Sequence, residues 1–233
     1  MPIPANAPIV DTNSKLIDCS FGLIKDPKKI YKPASDLFFV PFVSKRLYAP
    51  NTIPHFYMWD THFTPINSKD GYLTLLKRMN DAGIKYTCQT DFSVWQFQTR
   101  KEKDWAVKKN TECYLLDMQY NLQPFFNFNV VYEEYYSFII DHYPKNLGAI
   151  LIDYNHSPQS EGVTLAEYVK RETRAMKFLV ENFDFELCFV FTGKKQIPTP
   201  WNPFFNLIKQ KAKIIPIPTE MAVLHAMKKK YYK

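Results

Sequence analysis

The chain alternates between short runs of consecutive apolar residues and longer stretches in which apolar residues recur every three or four positions. The first pattern is typical of buried strands and the second of amphipathic helices. One short strand is expected before Pro41, and stronger strands at about 55–59, 84–88, 124–129, 149–152, 187–191 and 213–217. Helices are expected at about 69–82, 101–119, 132–143, 165–182 and 202–212, and a last one begins at Thr219.

Several of these helices carry start or stop signals. Ser68 suits the N-cap of the helix at 69–82, and Gly83 suits its end, because glycine readily adopts the left-handed conformation found there. Thr164 and Glu167 have the spacing of a capping box, in which a hydroxyl and a carboxylate each accept a free backbone N–H. The stretch 165–182 therefore has both a start signal and an apolar stripe.

Continuous apolar strands that alternate with helices indicate an α/β fold, with a mostly parallel sheet of about six strands and helices on both faces. Such a sheet is either open and doubly wound or curled into an incomplete barrel, and the sequence is compatible with both. A chain of 233 residues is expected to form a single α/β domain spanning 1–233. Within it, 1–15 is expected to be a loose N-terminal arm and 228–233 a basic tail.

The charge balance favours a polyanionic partner, nucleic acid in particular. The formal net charge is +7 and the isoelectric point is about 9.0. The run Lys228, Lys229 and Lys230 precedes two tyrosines, which suits a tail that contacts phosphates. The same run also suits a helix end whose cations complement the helix dipole.

Other sequence features narrow the class of protein. The four cysteines are widely spaced, which argues against a zinc site built on cysteine. The chain has neither a signal-peptide pattern nor an apolar stretch of about 18 residues, so no membrane partner is expected. We expect a soluble protein in a reducing, cytoplasmic compartment.

Polar side chains follow most of the predicted strands at the point where each strand ends. In parallel α/β sheets the carboxyl ends of the strands meet at one edge, where ligand sites collect. Asp and Asn also occur at strand ends because they form turns and cap the next helix, which is the competing interpretation. The residues that the first interpretation brings to one crevice are Asp60, His62, Asp91, Asn129, Asp153, His156 and Lys194.

This set predicts a chemistry. Hard divalent cations such as Mg²⁺ and Mn²⁺ prefer oxygen ligands, and such ions support phosphodiester hydrolysis. The predicted metal ligands are Asp60, His62, Asp91 and Asp153. The predicted catalytic residues are Asp91, Asp60, Asp153 and His156, and the predicted substrate-binding residues are Asn129, Lys194, Lys228, Lys229 and Lys230. A P-loop is excluded at Gly193, because Cys188 stands where its upstream glycine belongs.

Two segments resemble an uncharacterised domain family of bacterial phages, plasmids and integrative elements. In that family an aromatic strand ends in an acidic pair with an aromatic residue shortly after. Asp60 and Phe63 match this element in part, with Trp59 in place of the first acid. A later strand of the family exits through Pro-Asp-Phe-Ser, which residues 91–93 match, with Thr90 in place of the proline. The resemblance covers about residues 38–195. It implies a mobile-element protein in the cytoplasm of a bacterial host, gives no mechanism, and raises Asp60 and Asp91 above the other candidates.

The sequence thus favours a phage or mobile-element protein that acts on nucleic acid, with metal-dependent phosphodiester hydrolysis as its reaction. One alternative is a non-catalytic protein that binds nucleic acid or assists another protein. A further alternative is an α/β enzyme that acts on a small phosphorylated or sugar substrate. These alternatives differ in whether the strand-end carboxylates converge.

Overall fold

A computed structural model of the chain describes residues 38–41, 50, 52–55, 69–92, 94, 97–153, 162–191 and 199–217. The strands within these ranges are β1 (Phe38–Pro41), β2 (Thr52–His55), β3 (Tyr86–Cys88), β4 (Gln123–Asn127), β5 (Asn146–Asp153), β6 (Asp184–Phe191) and β7 (Lys213–Ile217). The α-helices within them are α1 (Lys69–Asp81), α2 (Arg100–Gln119), α3 (Tyr136–His142), α4 (Leu165–Asn182) and α5 (Asn202–Lys209). Short 3-10 turns occupy Phe128–Val130, Glu133–Tyr135 and Thr199–Trp201.

The paired strands run parallel, and their order in space follows their order in the chain. β3 to β7 form one sheet, and β1 pairs with β2. β2 lies beside β3, where the Thr87 hydroxyl donates to the Pro54 carbonyl oxygen at 3.4 Å. From β2 onward a helix separates each strand from the next and returns the chain to the same starting edge. The carboxyl ends of the strands therefore lie along one edge, which we call the carboxyl edge.

The helix ends follow the sequence signals. Gly83 has a φ of 72° after α1, and the Ile84 amide bonds the Met79 carbonyl oxygen at 3.0 Å. At the start of α4 the Thr164 hydroxyl accepts from the Glu167 amide at 3.3 Å. The Glu167 carboxylate in turn accepts from the Thr164 amide at 3.0 Å, so the predicted capping box is confirmed.

One face of the sheet, the outer face, packs against the described helices. Its buried strand side chains include Phe126 of β4, Ile150 of β5 and Val190 of β6. Each of the five described helices contributes buried apolar side chains to the same cluster. The amphipathic helices therefore cover this face, as their apolar periodicity predicts.

The other face, the inner face, packs on itself. Its buried side chains all come from strands: Phe39, Ile53, Cys88, Phe125, Ala149, Leu151, Leu187, Phe189, Phe191 and Ile217. The Phe39 ring of β1 lies 5.4 Å from the rings of both Phe189 and Phe191 of β6, measured between centroids. In a flat sheet these strands would lie about 24 Å apart, at about 4.8 Å per strand. The sheet therefore curls until β1 meets β6, as in an incomplete barrel.

The predicted α/β class and the mostly parallel sheet are confirmed. Of the two layouts that the sequence allows, the contact between β1 and β6 fits the incomplete barrel. The inner face is covered by the sheet's own aromatic side chains rather than by a second layer of helices, within the described ranges. No helix of those ranges is both long and apolar enough to cross a membrane.

Several predicted elements can be compared directly. β7 and α4 occupy the predicted residues. Of the strand predicted at 55–59, His55 belongs to β2, and residues 56–59 lie outside the described residues. Ser68, the helix from Thr219, the arm at 1–15 and the tail at 228–233 lie outside the described residues.

Candidate functional site

Two of the predicted site residues meet at the carboxyl edge. Asp91 follows β3 and Asn129 follows β4, and these two strands pair in the sheet. The Asn129 side-chain amide donates to the Asp91 carboxylate, at 3.5 Å to Oδ1 and 3.4 Å to Oδ2. These distances are longer than the usual range of about 2.7–3.2 Å for an N–H···O bond, so the contact is weak. Both side chains are partly exposed, so a ligand at this edge can reach them.

The exit of β3 is held by Gln89. Its backbone amide bonds the Phe125 carbonyl oxygen at 2.9 Å, which extends the ladder between β3 and β4 by one bond. Its side-chain oxygen accepts from the Asn127 amide at 2.9 Å, and its side-chain nitrogen donates to the Tyr143 hydroxyl at 2.5 Å. The Tyr143 hydroxyl also lies 3.0 Å from the Thr111 hydroxyl of α2. Buried hydrogen bonds therefore fix the base of the loop that carries Asp91.

The exit of β4 is shaped by Asn127. Its side-chain oxygen accepts from the Asn129 amide at 3.2 Å, which starts the 3-10 turn Phe128–Val130. Phe128 is buried, and its ring centroid lies 5.4 Å from that of Phe204 in α5. This turn anchors the backbone on one side of Asn129 and leaves its side chain beside Asp91.

His55 lies at the same end of the curled sheet and is 4% exposed. Its ring centroid is 4.5 Å from that of Phe191, the last residue of β6. Phe191 pairs in register with Asp153, the last residue of β5, so His55 and the end of β5 lie at the same level. Burial lowers the pKa of His55 from 6.5 to about 3, which keeps the imidazole neutral.

A neutral imidazole at the mouth of a barrel has two interpretations. A core histidine that packs among aromatic rings requires no function, and Phe39 and Phe191 supply such rings. Neutral imidazole is also the form that binds metals and donates hydrogen bonds to substrates.

The other predicted site residues are not described beyond the backbone of Asp153. Asp60, His62, His156, Lys194, Lys228, Lys229 and Lys230 lie outside the described residues. Among the residues that are described, His, Cys, Asp and Glu side chains nowhere form a group of three or more that could hold a metal ion. The predicted metal site thus has one described carboxylate, Asp91.

At the edge of the sheet opposite the carboxyl edge, two lysines donate hydrogen bonds to backbone carbonyl groups at the end of a helix. Lys145 donates to the Asn182 carbonyl oxygen, and Lys211 donates to the Val180 carbonyl oxygen at 2.7 Å. Both lysines therefore satisfy carbonyl groups in the last turn of α4 and complement its dipole. These two charges have a structural explanation that does not involve nucleic acid.

Near the carboxyl edge, cations pair with aromatic rings and with acids. The Arg100 guanidinium lies 4.8 Å from the centroid of the Tyr135 ring and bonds Asp104 at 2.8 Å. Lys103 lies 3.2 Å from a carboxylate oxygen of Glu134. Such pairs are locally neutral, so Arg100 and Lys103 are weak candidates for phosphate contacts.

Comparison with known proteins does not assign a family. No family model matches the chain, and no curated protein matches it. The resemblance of residues 91–93 to a mobile-element family therefore stays a prediction.

Proposed function

We propose that this protein acts on nucleic acid at the carboxyl edge of its curled sheet and hydrolyses phosphodiester bonds with Mg²⁺ or Mn²⁺. The observation that supports this proposal is the contact of the Asp91 carboxylate with the Asn129 amide, at 3.4 Å. The two residues come from neighbouring strand exits, and ligand sites of parallel α/β folds lie at that edge. The net charge of +7 favours an anionic substrate.

The described residues fit a hard cation in kind but not in number. The Asp91 carboxylate provides oxygen ligands, which Mg²⁺ and Mn²⁺ prefer, whereas Asn129 turns its side-chain nitrogen toward Asp91. An octahedral ion needs more ligands than Asp91 supplies. In this proposal Asp60, His62 and Asp153 provide further ligands. The bound cation would neutralise charge on the phosphate and activate a water molecule.

The remaining residues of the proposed site have separate tasks. Asn129 orients the Asp91 carboxylate through its side-chain amide. His156 transfers a proton to or from the reacting oxygens. The lysines neutralise phosphates on either side of the scissile bond. The lysines concerned are Lys194, Lys228, Lys229 and Lys230.

A second candidate is an enzyme that acts on a small phosphorylated or sugar substrate. The curl of the sheet favours it, because barrels of parallel strands bind compact ligands at their carboxyl mouth. Phe39, Phe191 and His55 form a buried aromatic cluster at this end of the sheet.

The test is cleavage of single-stranded DNA, double-stranded DNA and RNA by the whole chain in Mn²⁺, comparing Asp91→Asn with the wild type. Asp141→Asn is the matched control, because Asp141 is exposed in α3, which leads to the start of β5 at the opposite edge. We expect Asp91→Asn to lose more activity than the roughly 10- to 100-fold that substitution of a ligand-orienting residue costs, because it removes a ligand itself, and we expect the control to keep its activity.

Three outcomes would contradict parts of the proposal. Cleavage that survives Asp91→Asn would exclude Asp91 as a metal ligand. Binding without cleavage that weakens between about 50 and 200 mM salt would indicate the non-catalytic alternative. No binding at either salt concentration would exclude nucleic acid and leave the small-substrate candidate, which sugar phosphates then test by thermal shift.

A further inference from the structure

Asn110 of α2 is bonded to both residues that flank Asp91. Its side-chain oxygen accepts from the Thr90 hydroxyl and from the Phe92 amide, at 2.9 Å each. Its side-chain nitrogen donates to the Phe92 carbonyl oxygen at 3.0 Å. The Asn110 side chain is fully buried, with 0% exposed. One buried amide thus holds the chain immediately before and immediately after the candidate metal ligand.

The pattern of these bonds imitates a neighbouring strand. A primary amide has two donor hydrogens and an acceptor oxygen with two lone pairs. Asn110 uses the oxygen twice, and it exchanges a donor and an acceptor with the backbone of the same residue, Phe92. Two residues that face each other in an antiparallel ladder exchange bonds in the same way. The loop after β3 therefore receives strand-like support from a helix side chain.

With the residues on both sides of it held by Asn110, Asp91 faces the carboxyl edge. Thr90 is 0% exposed and Phe92 is 4% exposed, whereas Asp91 between them is partly exposed. With both neighbours fixed, the direction in which the Asp91 side chain leaves the backbone is also fixed. That direction brings its carboxylate to the Asn129 amide.

We infer that Asn110 is a positioning residue, which holds the Asp91 carboxylate in the orientation that a divalent cation requires. The inference rests on the proposed function, since Asp91 is the cation ligand there. Residues that orient metal ligands without touching the metal typically change its affinity by about 10- to 100-fold when they are substituted. The competing interpretation is that Asn110 only stabilises the fold.

A matched control separates positioning from stability. Leu122 is fully buried just before β4, at the edge opposite Asp91. Leu122→Ala removes apolar packing and lowers stability without removing any hydrogen bond of the loop. Asn110→Ala removes all three bonds. Asn110→Asp keeps an acceptor for Thr90 and Phe92 but donates to the Phe92 carbonyl only when the new carboxyl is protonated.

The experiment combines two readouts on the whole chain. NMR records the Asp91 carboxyl carbon and the Asn129 side-chain amide, and Mn²⁺ titration records affinity. We expect Asn110→Ala to shift both resonances and weaken Mn²⁺ binding about 10- to 100-fold, while Leu122→Ala changes neither. Asn110→Asp should approach the wild type as pH falls, because protonation restores the missing donor. This variant also serves if Asn110→Ala does not fold.

Two results would overturn the inference or the proposed function separately. If the Asn110 variants keep the wild-type resonances of Asp91 and Asn129, or shift them no more than Leu122→Ala does, the positioning role is wrong. If the wild type binds no Mn²⁺, the proposed metal chemistry is wrong, and the resonances alone then decide whether Asn110 holds Asp91.

Discussion

The two faces of the curled sheet are built in different ways. The outer face is covered by helices, whose apolar side chains recur at helical spacing. The inner face is covered by the sheet itself, so its contacts join strands that are distant in the chain. Phe189 of β6, for example, contacts Phe39 of β1 and Phe125 of β4, at 5.4 and 5.0 Å between ring centroids. Amphipathic helices bury the outer face, whereas curvature of the sheet buries the inner face.

Each face also buries an ionisable group whose pKa is shifted by burial, and the two shifts have opposite directions. On the helix side, burial raises the pKa of Asp117 well above its usual range. The Tyr72 hydroxyl donates to its Oδ1 at 2.5 Å, and its Oδ2 has no hydrogen-bond partner among the described residues. On the strand side, burial lowers the pKa of His55 to about 3. Both groups stay neutral when buried, so they make stability depend on pH in opposite directions.

The largest expected effect is on the inner face. Phe189→Ala should lower the free energy of unfolding by about 3–5 kcal/mol, since it removes a ring that packs on two others. Phe97→Ala is the control, because Phe97 is 74% exposed, and it should change stability by less than about 0.5 kcal/mol. Urea unfolding measures both. A Phe189→Ala loss as small as that of the control would contradict the packed inner face.

The next effect is on the helix side. A carboxyl with a raised pKa stabilises the fold below about pH 4, its unfolded pKa, and this contribution is lost as pH rises. Asp117→Asn removes that dependence and keeps an acceptor for Tyr72. We expect the variant to be more stable than the wild type by about 1–3 kcal/mol at pH 8, with the difference shrinking toward pH 5. Melting temperatures across this range measure it, and a constant difference would contradict the shifted pKa.

His55 should give the opposite slope. An imidazole with a lowered pKa stabilises the fold above pH 6.5, and this contribution is lost as pH falls toward 3. The free energy of unfolding of the wild type should therefore fall by about 1 kcal/mol between pH 6.5 and 5.5. This decrease should be absent from His55→Gln. His142→Gln, on the partly exposed His142 of α3, is the control. Parallel melting curves for wild type and His55→Gln would show that His55 is accessible to protons in the folded state.

The smallest expected effect is the coupling between two aromatic rings across the curled sheet, and it tests the contact of β1 with β6. Phe39→Leu and Phe189→Leu, alone and together, form a double-mutant cycle between β1 and β6. Rings in contact should show a coupling free energy of about 0.5–1.5 kcal/mol. Additive effects would place β1 away from β6 and would favour an open sheet.

The sequence predicted those elements whose signals are local. The capping box at Thr164 and the apolar stripe after it define α4, and the isolated apolar run at 213–217 defines β7. The curl was not predictable, because a strand that is apolar on both faces, such as β5, does not reveal which side chains meet helices and which meet other strands. The residues of β2 before His55 were not predicted as a strand, and residues 56–59 of the predicted strand lie outside the described ranges.

The candidate site divides in the same way. The meeting of Asp91 with Asn129 was predictable, because the exits of parallel strands share an edge. The role of Asn110 was not, because a single asparagine within a helical pattern suggests surface exposure. Its position along the helix could have indicated this role. Asn110 lies three residues after Val107 and three before Cys113, so it shares the core side of α2 with these two buried residues. A polar side chain on the buried side of a helix needs hydrogen-bond partners, and Thr90 and Phe92 at the exit of β3 provide them.

The most direct test of the proposed site is a crystal structure of the whole chain soaked in Mn²⁺, with anomalous diffraction to locate the ion. We expect an anomalous peak at about 2.0–2.6 Å from an Asp91 carboxylate oxygen, with Asp60 and Asp153 completing the set of carboxylates. The absence of a peak at Asp91, together with carboxylates of these three residues more than about 8 Å apart, would contradict a shared metal site. Carboxylates at that separation cannot bind the same ion, because each ligand oxygen must lie within about 2.6 Å of it.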